Sequence, residues 1–489
     1  MRFLTVFSVL AMLVTTGCST NPATGEQSFT AFMSEADEIR VGAEEHPKII
    51  KQFGGEYLDR PLNAYIRNIG KKLAAISEIP NLPYRFTILN DERVNAFAVP
   101  GGYVYITRGL LALAENEAEV AGVLAHEIGH ITARHTAQRY STTVATNIGL
   151  TVIGVIGSAA GLPSGLGRIA SVGAQAAIQG YSRQQELEAD MLGVRYMTRM
   201  GYDPNAMTSF FHKLDAHSKL EATLQGQDGV SHNIMSTHPR TADRIRQAIK
   251  LTRAKRVAGS RNGREEYLDR IDGMVFGDDT EQGVRKGRSF IHPVLRFRFD
   301  APPDFVLFNS TSQVTAHGPN DSKIVFDMAK RKNAVQTRGL KAYLSGVWGR
   351  NLSLDGIENI DVNGSPGATG SARLSTSNGS RDVRLLVVRG GKEQIFRFAF
   401  ITRPEMTAKL NTEFRRTTYS FRRLSEQEAA AIKPLRIKLV TVKPGDTVAK
   451  LAARMPFEKY QREWFRVLNA LDKGEHLTPG QRVKLVTDQ

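Results

Sequence analysis

Cysteine is nearly absent: the 489 residues include one, Cys18. A single thiol excludes an internal disulfide framework and leaves that residue without a structural partner. Acidic residues are also in short supply. Against 65 lysines and arginines stand 49 aspartates and glutamates, a formal charge of +16, which favours anionic neighbours such as lipid headgroups, acidic glycan, nucleic acid or acidic protein. No arm of five or more consecutive basic residues is present, and the basic residues are spread over the whole chain, so nucleic acid is not expected as a partner. Repeats of solenoid period are missing from the strand-rich second half. With 23% charged and 41% apolar residues, the composition is that of a globular protein. The length exceeds what one core supports, so several domains are expected.

Long apolar runs occur in two places. Met1 to Thr16, "MRFLTVFSVLAMLVTT", has one early arginine and then an apolar stretch, a secretory signal too short to remain as a membrane span. The Gly17-Cys18 junction resembles the lipobox of bacterial lipoproteins, although Thr15 stands where that pattern has an aliphatic residue. A signal over 1–17, acylation of Cys18 and a polar tether over 18–33 are therefore expected, with acyl chains holding the protein at a membrane surface without spanning it. Ser19 after the cysteine fits sorting to the outer membrane of a Gram-negative bacterium, facing the periplasm. The second run, "VATNIGLTVIGVIGSAAGLP" (Val144 to Pro163), approaches the length of a membrane helix. It is rich in Gly, Ala, Ser and Thr, and a span there would separate His126 and His130 from everything after Arg168. A helix packed over the site or dipping into the surface is expected instead, followed by a Gly-rich lid over 161–175.

Between these runs the pattern is mixed. "SEADEIRVGAEEHPKIIKQFG" opens with Ser34 as a cap and an acidic first turn, and Gly54-Gly55 stops it. A second helix begins at Pro61. "YRFTILN" (Tyr84 to Asn90) and "AFAVPGGYVYIT" (Ala96 to Thr107) read as strands, and helices follow from Gly109 to about Tyr140.

"AGVLAHEIGHITARH" (Ala121 to His135) carries the chemistry. Residues i and i+4 of a helix share a face, so His126 and His130 can grip one ion with their imidazoles. Glu127, about 100° further round, falls beside the ion, where a general base takes a proton from water. Catalytic zinc usually has three protein ligands. His135 is nine residues from His126, roughly on the opposite side of a continuing helix, and reads as a packing or supporting residue. "SRQQELEAD" offers Glu186 and Asp190, four apart on one face. One of them completes the ligand set and the other holds a ligating imidazole by its second nitrogen; spacing leaves open which does which.

"HEIGH", "SRQQELEAD" and "MSTHPRTADRI", in that order and preceded by "NAFAVPGGYVYITRGLL", resemble the gluzincin metallopeptidases of the HtpX, BepA and CAAX-prenyl-endopeptidase type. The resemblance covers roughly Ser34 to Lys250. It implies a single Zn²⁺ held by His126, His130 and Glu186, support from Asp190, and Glu127 as general base. It places His238 near the metal, where it either helps stabilise the oxyanion or caps the zinc and keeps the enzyme latent. Substrate is expected to lie extended along Asn95, Ala96, Phe97 and Ala98 by strand addition, a mode that favours unfolded or misassembled envelope proteins. The C-terminal "VKPGDTVAKLA", "LNAL" and "LTPGQRVKLV" resemble a LysM domain, which implies peptidoglycan as a partner.

The fold class expected is α+β multidomain: a mainly helical zincin-type domain with a small sheet over 34–258, an α+β domain over 259–435, and a βααβ LysM-like domain over 436–489. The function expected is zinc-dependent endopeptidase. A chaperone-like zinc protein and a peptidoglycan cross-bridge endopeptidase are the alternatives.

Overall fold

The computed structural model describes residues 18–144, 180–225, 259–330, 339–391 and 393–488, together with the single positions 238, 244, 247, 250, 251 and 333. The expected signal, the Gly-rich lid and, apart from Val144, the apolar run fall outside the described residues. Among those described, no helix is long and apolar enough to cross a membrane. The chain forms two compact units, one of Met1–Phe276 with Arg436–Thr487, the other of Gly277–Leu435 with the last two residues.

The first unit opens with an antiparallel hairpin, β1 (Cys18–Thr20) and β2 (Gln27–Phe29). The sequence suggested a tether over 18–33, but this segment is docked: Arg134 donates to Ser19 Oγ and Met33 O, and Arg195 donates to Ala23 O. The polar composition that reads as a linker instead supplies these hydrogen bonds. Helix α1 (Glu35–Gln52) starts from Ser34 in a capping box with Asp37, which satisfies two orphan amides at the helix start. Helix α2 (Arg60–Ala75) is capped by Asp59 and buries the face carrying Leu62, Ile66, Ile69 and Leu73. A three-stranded sheet follows, β3 (Arg85–Leu89), β4 (Ala96–Val99) and β5 (Tyr103–Thr107), in the order β3-β5-β4. β3 and β5 are parallel, β4 is antiparallel to β5, and β4 is the edge. Gly101 and Gly102 take positive φ in the turn between β4 and β5, where a side chain would be strained.

Helix α3 (Arg108–Leu113) leads into α4 (Glu117–Thr132), in which every residue is buried. Its Ala, Gly, Val and Leu content suits a helix enclosed on all sides, here by α2, β4, α6 (Arg183–Arg199) and α7 (Asn205–Gln225). A further helix, α5, occupies 135–144 between α4 and α6. Helix α8 (Arg264–Ile271) packs on α2 and α4, while Arg261 donates to Glu117. These contacts tie 259–276 to the first unit, whereas the sequence reading put the boundary at 258. A two-residue strand, β6 (Val275–Phe276), ends this part.

The second unit is α+β. Its large antiparallel sheet comprises β10 (Val306–Asn309), β11 (Gln313–His317), β12 (Lys323–Met328), β13 (Asp355–Val362), β14 (Ser365–Thr376), β15 (Gly379–Gly391) and β16 (Gln394–Thr402), in the order β10-β11-β12-β16-β15-β14-β13. A smaller sheet runs β17-β9-β8-β7, from β7 (Val284–Lys286), β8 (Ser289–His292), β9 (Phe297–Asp300) and β17 (Arg422–Arg423). In β16 the period-2 alternation of a strand sends Phe396, Phe398 and Phe400 to one face, with Phe297, Phe299, Phe326 and Phe414 of helix α9 (Pro404–Ser420). Ile395, Ala399 and Ile401 meet Tyr343 and Leu344 on the other.

The chain then returns to the first unit as β18 (Leu435–Thr441), α10 (Val448–Ala452), α11 (Gln461–Leu468) and β19 (Arg482–Thr487). β18 pairs antiparallel with β19 and also joins β6. Lys484 is fully buried, and its ammonium donates to the carbonyls of Ala112 and Ala114, 3.0 and 2.7 Å away, with Glu115 at 3.3 Å. Those carbonyls belong to the orphan set at the C-terminus of α3. Trp464 packs edge-on against His217 of α7 and against Phe276. This segment therefore shares the first unit's core.

Candidate metal centre

Two helices build the site. On α4, the one-turn spacing stacks His126 and His130. On α6, Ser182 caps the first turn together with Gln185, and Glu186 and Asp190 project toward α4. The approach is close because both helices have glycine at the contact. A Cβ on Gly129 would sit 3.2 Å from Ala189 O, and one on Gly193 would sit 3.3 Å from His126 N. The neighbour that the small Gly129 admits is thus the α6 backbone.

His126 Nε2 and His130 Nε2 are 3.0 Å apart, and Glu186 reaches them at 3.6 and 3.5 Å. His238 brings Nδ1 to 3.3 Å from His126 Nε2 and 2.9 Å from Glu186 Oε1. These four buried residues offer ligand atoms that all lie within 4.8 Å of one another. A tetrahedral zinc with nitrogen and oxygen ligands at 2.0–2.1 Å has ligand atoms about 3.3 Å apart, so the spacing fits that ion, and three imidazoles with one carboxylate are a zinc-type donor set.

Asp190 lies outside this set, with Oδ1 3.0 Å from the other nitrogen of His126, Nδ1. A carboxylate at that position favours the tautomer that leaves Nε2 free for a metal. The two carboxylates on one face, which spacing left equivalent, thus have different partners. Arg244 lies in the same motif as His238, and no spacing rule marks a role for it. Its guanidinium donates two hydrogen bonds to Asp190, at 2.8 and 2.7 Å, and contacts Glu186 Oε2 at 2.5 Å, so two buried carboxylates share one cation. His135 lies on the far side of His130, Nδ1 to Nδ1 at 2.8 Å. Tyr181 stacks on the His130 ring with centroids 3.7 Å apart.

Glu127 is fully buried beside the set, with His238 Nε2 at 3.4 Å. Neither of its oxygens makes a hydrogen bond of good geometry, and the backbone amide of Ala98, on the β4 edge, is the donor that faces it. Burial pushes Glu127 above the usual carboxylate range, opposed by the imidazoles of His238 and His126. Burial likewise opposes ionisation of Glu186, but His238, His130 and His126 hold it well below its ordinary value. Burial depresses His130 strongly, favouring the neutral ring that binds metals. The expected substrate strand is at the sheet edge but covered: Asn95 is 8% exposed, and Ala96, Phe97 and Ala98 are at most 3% exposed. An apolar cavity lined by Val123, Met207, Phe210, Phe211 and Leu214 adjoins Glu127 and His238.

Residues 61–252 match the sequence profile of peptidase family M48. The chain is 35% identical over 199 residues to the putative beta-barrel assembly-enhancing protease of Vibrio cholerae, covering 38% of this chain and 38% of that protein. It is 34% identical over 198 residues to the beta-barrel assembly-enhancing protease of Yersinia pestis, 39% of each. To the mitochondrial metalloendopeptidase OMA1 of Schizosaccharomyces pombe it is 29% identical over 213 residues, 43% of this chain and 59% of that one. The matches thus span about two fifths of the bacterial relatives.

Proposed function

We propose that this chain, whose residues 61–252 are a peptidase family M48 domain, is a zinc-dependent metalloendopeptidase. The observation that carries the reading is the buried quartet His126, His130, Glu186 and His238, with Glu127 beside it. His126, His130 and Glu186 are the protein ligands, with one zinc per chain. When bound there, zinc supplies Lewis acidity that polarises a scissile carbonyl and makes water a stronger acid. Glu127 takes the proton from the attacking water and delivers it to the leaving amine; its raised pKa suits a group that must do both. Asp190 orients His126, and Arg244 balances the charge of Asp190 and Glu186.

His238 sits as a fourth donor, which supports the capped, latent reading over the oxyanion role in this arrangement. The buried β4 edge supports the same closed state. Substrate entry requires His238 to leave the set and the edge at Asn95–Ala98 to open, after which a peptide adds as a strand and its carbonyl meets Glu127. Unfolded or misassembled envelope proteins are the proposed substrates, supported by the names of the bacterial relatives. A periplasmic protein held at the outer membrane through acylated Cys18 completes the proposal, with the strand-helix-helix-strand segment after residue 435 as a LysM-like module for peptidoglycan.

The test is to purify the chain and measure zinc content beside cleavage of casein. One zinc per chain and chelator-sensitive cleavage are expected. Glu127→Gln should keep its zinc and lose cleavage by about a thousandfold, within the range of general base catalysis. Wild-type cleavage in Glu127→Gln, or a chain without metal, overturns the reading.

A further inference from the structure

The path of hydrogen bonds that leaves the centre from the far nitrogen of His130 has a direction. His130 Nδ1 meets His135 Nδ1 at 2.8 Å, His135 Nε2 meets Glu188 Oε2 at 3.2 Å, and Glu188 Oε1 accepts from Asn21 Nδ2 at 2.8 Å. A neutral His130 that offers Nε2 to a metal carries its proton on Nδ1 and donates it to His135 Nδ1. His135 then carries its own proton on Nε2 and donates to Glu188, an acceptor only, whose second oxygen takes the Asn21 amide. Every donor meets an acceptor. The reverse arrangement places a proton on His130 Nε2, where it blocks a metal, and turns a bare His135 nitrogen toward a carboxylate. The His135 side chain is 0% exposed, so water does not compete for it. The outermost member, Asn21, belongs to the β1–β2 turn and is buried, fixed by Arg134 and Arg195 through the residues around it.

We propose that His135, Glu188 and Asn21 are positioning residues that lock His130 in its metal-binding tautomer and raise its basicity, so that the N-terminal hairpin sets the metal affinity of the centre. This rests on His130 being a zinc ligand. The test uses the full chain stripped of metal, titrated with zinc against a chromophoric chelator and with cobalt(II) followed by its visible bands. Glu188→Gln should weaken zinc binding about tenfold or more, as removal of an outer partner of a ligating histidine does, and shift the cobalt bands. Asn21→Ala should act in the same direction and less. His135→Leu should weaken binding at least as much as Glu188→Gln, and adding Glu188→Gln to it should cost nothing further, because the path is already cut. His135→Gln, whose side-chain oxygen accepts from His130, should recover most of the loss. Wild-type affinity and spectra in Glu188→Gln and Asn21→Ala overturn the proposal, as does an additive double variant. Should Glu188→Gln fail to fold, Asn21→Ala reads the same affinity. A wild-type chain that takes up no zinc defeats the metallopeptidase reading instead, so the two failures are distinct.

Discussion

The two compact units are buried in opposite ways. In the second, the core is a stack of aromatic rings from Phe297, Phe299, Phe326, Phe396, Phe398 and Phe400, and its buried polar residues among those described are the hydroxyls Ser322, Thr402, Thr417 and Thr418. The first unit buries carboxylates, imidazoles and cations: Glu117, Glu119, Glu186, Asp190, Lys213 and Lys484 among them. Such groups are costly unless paired, and each of these six has a partner. Glu117 accepts from the hydroxyls of Tyr65 and Tyr202, Glu119 pairs with Lys213 at 2.7 Å, and Glu186 contacts Arg244. The contrast separates a unit optimised for packing from one in which packing serves to exclude water from charges. Chemistry is expected in the second kind.

Four perturbations test that contrast, in descending order of effect. Glu186→Ala, which removes the proposed carboxylate ligand and one of the two carboxylates that Arg244 contacts, should reduce zinc content and casein cleavage to background while leaving the thermal transition of the second unit in place; retained zinc would break the comparison. Phe398→Ala should cost about 3–5 kcal/mol in the second unit by leaving a cavity, with zinc content unchanged, as followed by denaturant unfolding and metal analysis. The third concerns Lys484, whose pKa burial lowers to about 8, with Glu115 pulling the other way. Between about pH 8 and the ordinary lysine value, the unfolded chain holds a proton that the folded one has released, so this lysine's contribution to stability rises with pH. Wild type should gain about 2 kcal/mol from it between pH 7.5 and 9.5, and Lys484→Met should lack that gain; parallel urea midpoints for the two proteins would contradict it. Smallest is Leu58→Ser. The leucine is 91% exposed, and the change should move stability by less than about 0.5 kcal/mol.

What the sequence makes legible is whatever depends on spacing within one element. The pair on α4 follows from 3.6 residues per turn, and Glu186 with Asp190 from the same rule on α6. Strands of the small sheet show in their β-branched and aromatic content. Legibility stops where contacts join distant segments. Arg244 arrives 54 positions after Asp190, and no local pattern marks its target. The placement of His135 from helical geometry assumed a continuing α4, but the helix ends at Thr132 and Arg134 takes φ +54°; that turn brings His135 back onto His130. The docking of 18–33 and of the last strand also escapes the pattern, because Asn21 and Lys484 look like solvent-facing residues until their partners are known.

The last strand has a consequence for how the molecule is made. The ammonium that closes the end of α3, one turn before the zinc-type helix begins, is supplied by residue 484, after the whole second unit. A nascent chain on the ribosome therefore carries His126, His130, Glu186 and His238 long before it can seat that junction. Seating of that junction waits until the whole second unit has been synthesised, so a chain interrupted within that unit should lack the cation at the end of α3.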